Sequence, residues 1–219
     1  MKHFHRELDK IKKMILSLGA LVEKRVNEVK QAVEDRDVAI AKKIIQLDHE
    51  IDQMEVDIEE ECLKIIALHQ PVATDLRFLI AVIKINNDLE RIGDQVVNIA
   101  QRVVSIAKRP TVAYNFDYSV MANKAEAMLR MSLDSLVNQD LDDAIRVLHL
   151  DDEVDAIKDE VYDLIKKAIA GGVTDDIGYM INLLLISRHI ERLADHATNI
   201  AEEVVYMIEG EIVRHGKLE

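Results

Sequence analysis

The sequence predicts an all-α fold of two tandem antiparallel three-helix bundles, six helices that derive from an internal duplication. Its 219 residues include only 7 glycines and 2 prolines, and 49% are hydrophobic, a composition typical of a mostly helical protein. Apolar residues recur at alternating spacings of four and three, which is the period of a helix face and not of a strand. The stretch 87–100 is also matched by the stretch 188–201.

The first half of the chain contains three predicted helices. The first spans about residues 3–36, and Asp37 is placed to cap the helix that follows. That second helix fades near Leu68, because Pro71 disfavours helical backbone in the residue before it. The third helix runs from about Asp75 to Lys108.

The same pattern begins again after the midpoint of the chain. Its three predicted helices span residues 118–138, 141–170 and 177–209. The predicted domains are 1–109 for the first bundle and 110–219 for the second, with 111–115 as a short linker. Repeats of this kind indicate a duplicated architecture.

The duplication extends beyond the stretch 87–100. Residues 47–52, on the second helix, are matched by residues 150–155. The offset is 103 residues for the second helices and 101 for the third helices, so the following turns differ in length by two residues.

Pairs of carboxylates spaced four residues apart are the strongest candidate for a functional site. Each half carries one pair on its second helix and one on its third, and those helices are antiparallel neighbours. Because residues four apart share a helix face, we expect the two pairs of a half to converge on one surface patch. The candidate metal ligands are Asp48, Asp52, Glu90 and Asp94 in the first half, and Asp151, Asp155, Glu191 and Asp195 in the second.

Four carboxylates in one patch repel each other unless a cation compensates their charge. Oxygen ligands without thiolates suit Mg²⁺, Ca²⁺, Mn²⁺ or iron. Asn98 and Asn199, one helical turn further along, are candidates for an additional ligand or a supporting hydrogen bond. An ordinary solvated face remains the alternative, because 41 acidic residues on helices form many such pairs.

Composition also restricts the class of protein. A net charge of −13 disfavours nucleic acid as a partner, and no apolar run is long enough to insert directly into a membrane. The single cysteine, Cys62, excludes an internal disulfide framework and fits a reducing cytoplasm. Met1 to Glu7 lack the apolar core of a signal peptide. The sequence contains no glycine-rich phosphate loop and no Ser/His/Asp arrangement, and we expect an intracellular, cytoplasmic protein.

Three motifs together resemble the PhoU family of bacterial phosphate-transport regulators over nearly the whole chain. They are Gln70-Pro-Val-Ala-Thr-Asp-Leu-Arg77, Asn87-Asp-Leu-Glu-Arg-Ile-Gly-Asp94 and Glu191-Arg-Leu-Ala-Asp-His-Ala-Thr-Asn-Ile-Ala201. The resemblance implies two three-helix bundles whose acidic motifs hold multinuclear metal clusters, with Fe, Mn, Mg, Zn or Ca as candidate ions. The second turn, around Gly171, departs from the pattern because it lacks the Gln-Pro and Arg of the first turn.

The resemblance also implies partners and the function of a regulator that is not an enzyme. PhoU-like proteins link the ATPase subunit of the phosphate ABC importer to a sensor histidine kinase and restrain the phosphate-starvation response. A location in the cytoplasm, peripheral to the inner membrane through these partners, follows from that role, and a homodimer is left open. Two other classes stay open as well: a carboxylate-bridged oxidase or storage protein, and a purely structural helical scaffold.

Overall fold

The computed structural model describes residues 2–108, 116–172 and 177–210. The predicted linker 111–115 and the predicted boundary between residues 109 and 110 lie outside these ranges. The same is true of residues 173–176 in the second turn and of the tail 211–219. The two domain limits therefore remain predictions.

All regular secondary structure within these ranges is α-helix, and the described residues contain no strand. The all-α prediction is confirmed. None of the described helices combines the length and the apolar character that spanning a bilayer demands. The helices are α1 (Lys2–Asp35), α2 (Val38–Gln46), α3 (His49–His69), α4 (Ala73–Ile106), α5 (Ser119–Asn138), α6 (Leu141–Ala170) and α7 (Ile177–Glu209).

The second predicted helix is divided into α2 and α3, which is why the described residues form seven helices where six were expected. Leu47 leaves helical geometry, with φ −100° and ψ 10°, and its N–H bonds to the carbonyls of both Lys43 and Ile44. The corresponding helix of the second half, α6, continues without a break through Leu150 and Asp151. The break is thus a feature of the first half, and it places Asp48 directly before α3.

Matching caps begin the second helix of each half. Asp37 accepts hydrogen bonds from the backbone N–H groups of Ala39 and Ile40, at 2.7 and 3.1 Å. Asp140 does the same for Asp142 and Asp143, at 3.0 and 3.2 Å. The predicted cap at Asp37 is confirmed. Side-chain acceptors at this position satisfy N–H groups that have no partner within the helix.

Helices α4 and α7 pack antiparallel along their lengths and join the two halves. His189 Nδ1 lies 2.9 Å from Gln95 Oε1, and His196 Nδ1 lies 2.8 Å from Asp88 Oδ1. At the offset of 101, Asp88 is the counterpart of His189 and Gln95 that of His196, so the second pair is the first with the halves exchanged. The repeats are therefore related by a pseudo-twofold axis that crosses the α4–α7 pair.

The two bundles share one continuous hydrophobic core. Lys84 of α4 forms a 2.8 Å ion pair with Glu203 of α7. On another side, Lys30 of α1 pairs with Glu126 of α5. The tandem bundles are thus packed side by side, and their contact includes first helices as well as third helices.

Leu89→Asp tests the buried face of α4. Leu89 is fully buried, so the substitution removes apolar packing and places a charge in the core. We expect a loss of more than about 3 kcal/mol in the free energy of unfolding, measured by chemical denaturation. Asn87→Asp is the control, because position 87 is exposed and an aspartate can still accept the bond from Arg91. Equal stabilities for both variants would contradict the assigned face.

Candidate functional site

The first acidic cluster consists of Asp48, Asp52, Glu55, Glu90 and Asp94. Asp48 and Asp52 lie at the start of α3, and Glu90 and Asp94 lie on the adjoining part of α4. Partial burial raises the pKa of Asp48, and the charges of Asp52 and Asp94 raise it further. Burial, followed by Asp94, Asp52 and Glu55, likewise raises the pKa of Glu90. The structure thus brings the four predicted carboxylates together and adds a fifth, Glu55.

Close packing of α3 on α4 produces this crowding. A Cβ atom built on Gly93, between Glu90 and Asp94, would lie 3.0 Å from Ile51 Cδ1, so a larger residue would require the Ile51 side chain to shift. The buried Asn86 side chain donates a 2.8 Å hydrogen bond to the backbone carbonyl of Glu55. These contacts fix the position of α3 along the axis of α4, so that the two carboxylate pairs lie beside each other.

The second acidic cluster consists of Asp151, Asp155, Glu191 and Asp195. Asp151 and Asp155 lie on α6, and Glu191 and Asp195 lie on α7. Loss of hydration raises the pKa of Asp195 to about 6, with further contributions from Glu191, Asp151 and Asp155. Burial also raises the pKa of Asp151, although that carboxylate accepts a 3.2 Å hydrogen bond from Thr198. All four predicted residues of the second half are therefore neighbours.

A lysine is part of the second acidic cluster. Lys158 Nζ lies 3.1 Å from Asp155 Oδ1 and 3.3 Å from Glu191 Oε1. Partial burial lowers the pKa of Lys158, but hydrogen bonds to the two carboxylates outweigh that effect and raise it. Lys158 and Glu55 were not among the predicted site residues, although each lies three residues after a predicted ligand, Asp155 or Asp52.

Neither cluster is a preformed chelate. Among the residues that the structure describes, no three His, Cys, Asp or Glu side chains are grouped so as to hold a metal ion. The carboxylates are close enough to perturb one another's ionisation, and their oxygen-only donor set fits hard cations. At the first cluster the charges of His49 and Arg91 act in the opposite direction, against the rise in the pKa of Asp48 and of Glu90. Metal binding by the eight predicted ligands therefore remains a prediction.

Polar residues between α4 and α7 serve the contact between the halves. Asn199, a candidate additional ligand, donates a 3.1 Å hydrogen bond to Asp88, the same carboxylate that His196 contacts. Its amide nitrogen is thus engaged across the helix pair. Burial lowers the pKa of His189 to about 4, and Arg102, Arg192 and Arg188 contribute in the same direction. His189 is therefore neutral at pH 7.

Asp195→Asn should change how stability depends on pH in metal-free protein. The pKa of Asp195 is raised to about 6 in the folded state above its ordinary value near 3.9, so the folded state takes up a proton more readily. Protonation of Asp195 therefore increases the free energy of unfolding as pH falls from about 7 towards 4. At higher pH the ionised carboxylate destabilises the folded state. The variant should be more stable than the parent at pH 7 and lose this dependence.

Chemical denaturation at pH 7 and pH 5, with a chelator present, measures the effect. Asp134→Asn on α5 is the control, since it removes an exposed carboxylate outside both clusters. If Asp195→Asn and Asp134→Asn shift the denaturation midpoints equally at both pH values, Asp195 is not crowded by its neighbours.

The PhoU domain family matches this chain twice, over residues 15–103 and 118–204. The phosphate-specific transport system accessory protein PhoU homolog of Pseudomonas aeruginosa is 34% identical over 217 residues, which cover 98% of this chain and 88% of that protein. The homolog of Aquifex aeolicus is 37% identical over 218 residues, covering 98% and 96%.

Solved structures agree with the sequence relatives. The crystal structure of PhoU from Pseudomonas aeruginosa superposes with a TM-score of 0.90 at 33% identity and covers 95% of this chain and 100% of that one. The phosphate transport system regulatory protein PhoU from Streptococcus pneumoniae gives 0.84 at 31% identity, covering 97% and 100%. Both copies of the domain, nearly the full length and the fold are shared, and the chain belongs to the PhoU family.

Proposed function

We propose that this protein is a non-enzymatic regulator of phosphate uptake that acts as an accessory to a phosphate importer. The observation that supports the proposal is the match of both PhoU domains to relatives named as accessory proteins of the phosphate-specific transport system. The similarity covers almost the entire length of those relatives, so the same set of surfaces is available here.

The finer role follows from the family. The protein links the ATPase subunit of the importer to a sensor histidine kinase and restrains the starvation response when phosphate is plentiful. It works in the cytoplasm and reaches the inner membrane through these partners, without lipid contacts of its own. Exposed apolar side chains near the Gln70–Arg77 motif offer a contact surface for a partner protein. They are Leu68, Val72, Leu76 and Ile80.

Val72→Asp tests this surface. Val72 has 74% of its side chain exposed and occupies the N-cap position of α4 with extended backbone. Aspartate is favoured at an N-cap, so the variant should fold at least as well as the parent. We expect its binding to the importer's ATPase subunit, measured by calorimetry, to weaken at least about tenfold, as a loss of roughly 1.4 kcal/mol.

Val137→Asp is the matched control, because it places the same charge on an exposed valine of α5. Unchanged affinity for Val72→Asp, or equal losses for both variants, would remove the Gln70–Arg77 surface from the proposal.

Metal ions at the acidic clusters are the second part of the proposal. Asp48, Asp52, Glu90 and Asp94 would hold a cation in the first half, and Asp151, Asp155, Glu191 and Asp195 in the second. The raised pKa values of Asp48 and Glu90 support this, because each carboxylate is crowded by others of the same cluster. A bound cation would offset that repulsion and stabilise the folded state.

The double variant Glu90→Gln, Asp94→Asn tests metal binding while conserving side-chain size. Divalent ions should raise the melting temperature of the parent, and they should raise it less for this variant and for Glu191→Gln, Asp195→Asn. No carboxylate of one cluster perturbs a pKa in the other, so the two losses should be largely additive. Equal stabilisation of the parent and both variants would show that these carboxylates are ordinary solvated side chains and not metal ligands.

Two other functions predict different results. A carboxylate-bridged oxidase or storage protein would bind iron and turn over oxygen or accumulate many ions per chain. A purely structural scaffold would bind its partners fully with no metal present. Elemental analysis of protein purified without a metal-affinity tag, followed by partner binding in a chelator, distinguishes all three.

A further inference from the structure

The second predicted helix of the first half is bent between α2 and α3, whereas its counterpart α6 is continuous. Both elements begin at a capping aspartate, Asp37 or Asp140, and the aligned carboxylate pairs follow after the same number of residues. No insertion therefore explains the bend. Kinks in helices usually come from proline, from glycine or from an inserted side chain, and residues 38–52 contain neither proline nor glycine. The cause must be sought in a side chain of a neighbouring helix.

Arg25 of α1 is that side chain. It is only 4% exposed, and its terminal nitrogens bond to Glu28 of α1 at 2.7 Å and to Glu50 at 2.6 Å. Glu50 lies in the first turn of α3, directly after the bend. Lys43, in the last turn of α2, bonds to Glu28 at 3.2 Å. The network Lys43–Glu28–Arg25–Glu50 thus ties both sides of the bend to α1.

The second half has different residues at the positions that form this network. The turn before the second helix aligns at the offset of 103 residues, at which Met128 and Met131 of α5 are the counterparts of Arg25 and Glu28. Methionine cannot form an ion pair. Glu153, the counterpart of Glu50, bonds to Lys124 instead. The buried arginine and the bend therefore occur together in one half, and the other half has neither.

Arg25 is not an efficient way to stabilise the core. Its Nε atom is buried without a hydrogen-bond partner, and an unsatisfied buried donor costs free energy. Apolar residues that replace a buried ion pair often leave stability unchanged or increase it. Met128, which is fully buried, shows that the repeat accepts such a residue at this position. The bend, and not stability, is therefore what Arg25 provides.

We infer that the Lys43–Glu28–Arg25–Glu50 network is a latch that holds the junction of α2 and α3 bent. Without the bond from Arg25 to Glu50, the two helices join into one, as in α6. Glu50 is the side at which the latch opens, because it is 43% exposed and Glu28 is only 19% exposed. The two halves of the chain thus display the latched and the unlatched form of one repeated element.

Opening the latch moves α2 more than α3. The Asn86 side chain holds the backbone of α3 against α4, whereas α2 buries only Ala41 and Ile44 of its nine residues. Leu47 and Asp48 form the junction, so they change backbone geometry when the helices join. The latch therefore controls the position of Asp48, the first member of the first acidic cluster.

Arg25→Met, which introduces the residue found at the corresponding position of α5, tests the latch in the full chain. Backbone NMR measures the carbon chemical shifts of Leu47, which has φ −100° and ψ 10° in the bent form, and the hydrogen exchange of the Asp48 amide. In the variant the Leu47 shifts should move to helical values. The Asp48 amide should exchange more slowly, because a continuous helix bonds it to the carbonyl of Ile44. The denaturation midpoint should equal or exceed that of the parent.

Two controls make similar substitutions at exposed positions. Lys43→Met removes the outer end of the network, where the lysine is 57% exposed. Arg130→Met removes an arginine of α5 that is 69% exposed. Both variants should keep the Leu47 shifts of the parent, which would assign the effect to the buried guanidinium.

Parent-like Leu47 shifts in a folded Arg25→Met variant would overturn the inference. A lower denaturation midpoint with the bend retained would do the same, since Arg25 would then be an ordinary stabilising residue. Glu50→Gln decides the question if Arg25→Met does not fold. It weakens the bond that opens, so the Leu47 shifts should move part of the way to helical values, and unchanged shifts would count against the latch. These measurements involve neither a metal ion nor the importer, so they do not depend on the proposed function.

Discussion

The antiparallel packing of α4 on α7 is the constraint on which the rest of the structure depends. Each of these helices buries one face against the other helices of its own half and another against its counterpart in the other half. Residues such as Leu89, Ile92 and Leu193 are buried as a result, each contributing about 1.5–3 kcal/mol relative to an exposed side chain. The remaining faces of α4 and α7 carry the acidic pairs, so the core fixes where the carboxylates lie.

Crowded carboxylates oppose folding, and the two clusters are compensated differently. Burial of large apolar residues beside the first cluster, with Ile51 against Gly93, stabilises a contact that carboxylate repulsion alone would separate. At the second cluster Lys158 offsets part of the repulsion directly. The same helix geometry thus supports two different electrostatic environments.

Much of this arrangement was predictable, because a helix repeats every 3.6 residues and the apolar positions followed that period. The same period placed Glu90 beside Asp94 and Glu191 beside Asp195. The break at Leu47 was not predictable, since no proline or glycine marks it and α6 continues through the equivalent position. Nor was the pairing of α4 with α7, because a helix pattern shows which residues are buried but not which helix covers them. The contacts of Lys158 were not predictable either, because the sequence does not show that a lysine three residues after Asp155 reaches a carboxylate on the neighbouring helix.

The pseudo-twofold relation between the halves has an evolutionary consequence. A half-length ancestor with this contact would be a symmetric dimer, in which the pair between Gln95 and His189 and the pair between Asp88 and His196 would occupy equivalent positions. In such a dimer every substitution appears on both sides of the axis, so a lysine gained at one cluster is gained at both. Fusion into one chain removed that restriction. Glu55 and Lys158 could then diverge, so that the two halves carry opposite charges at one corresponding position.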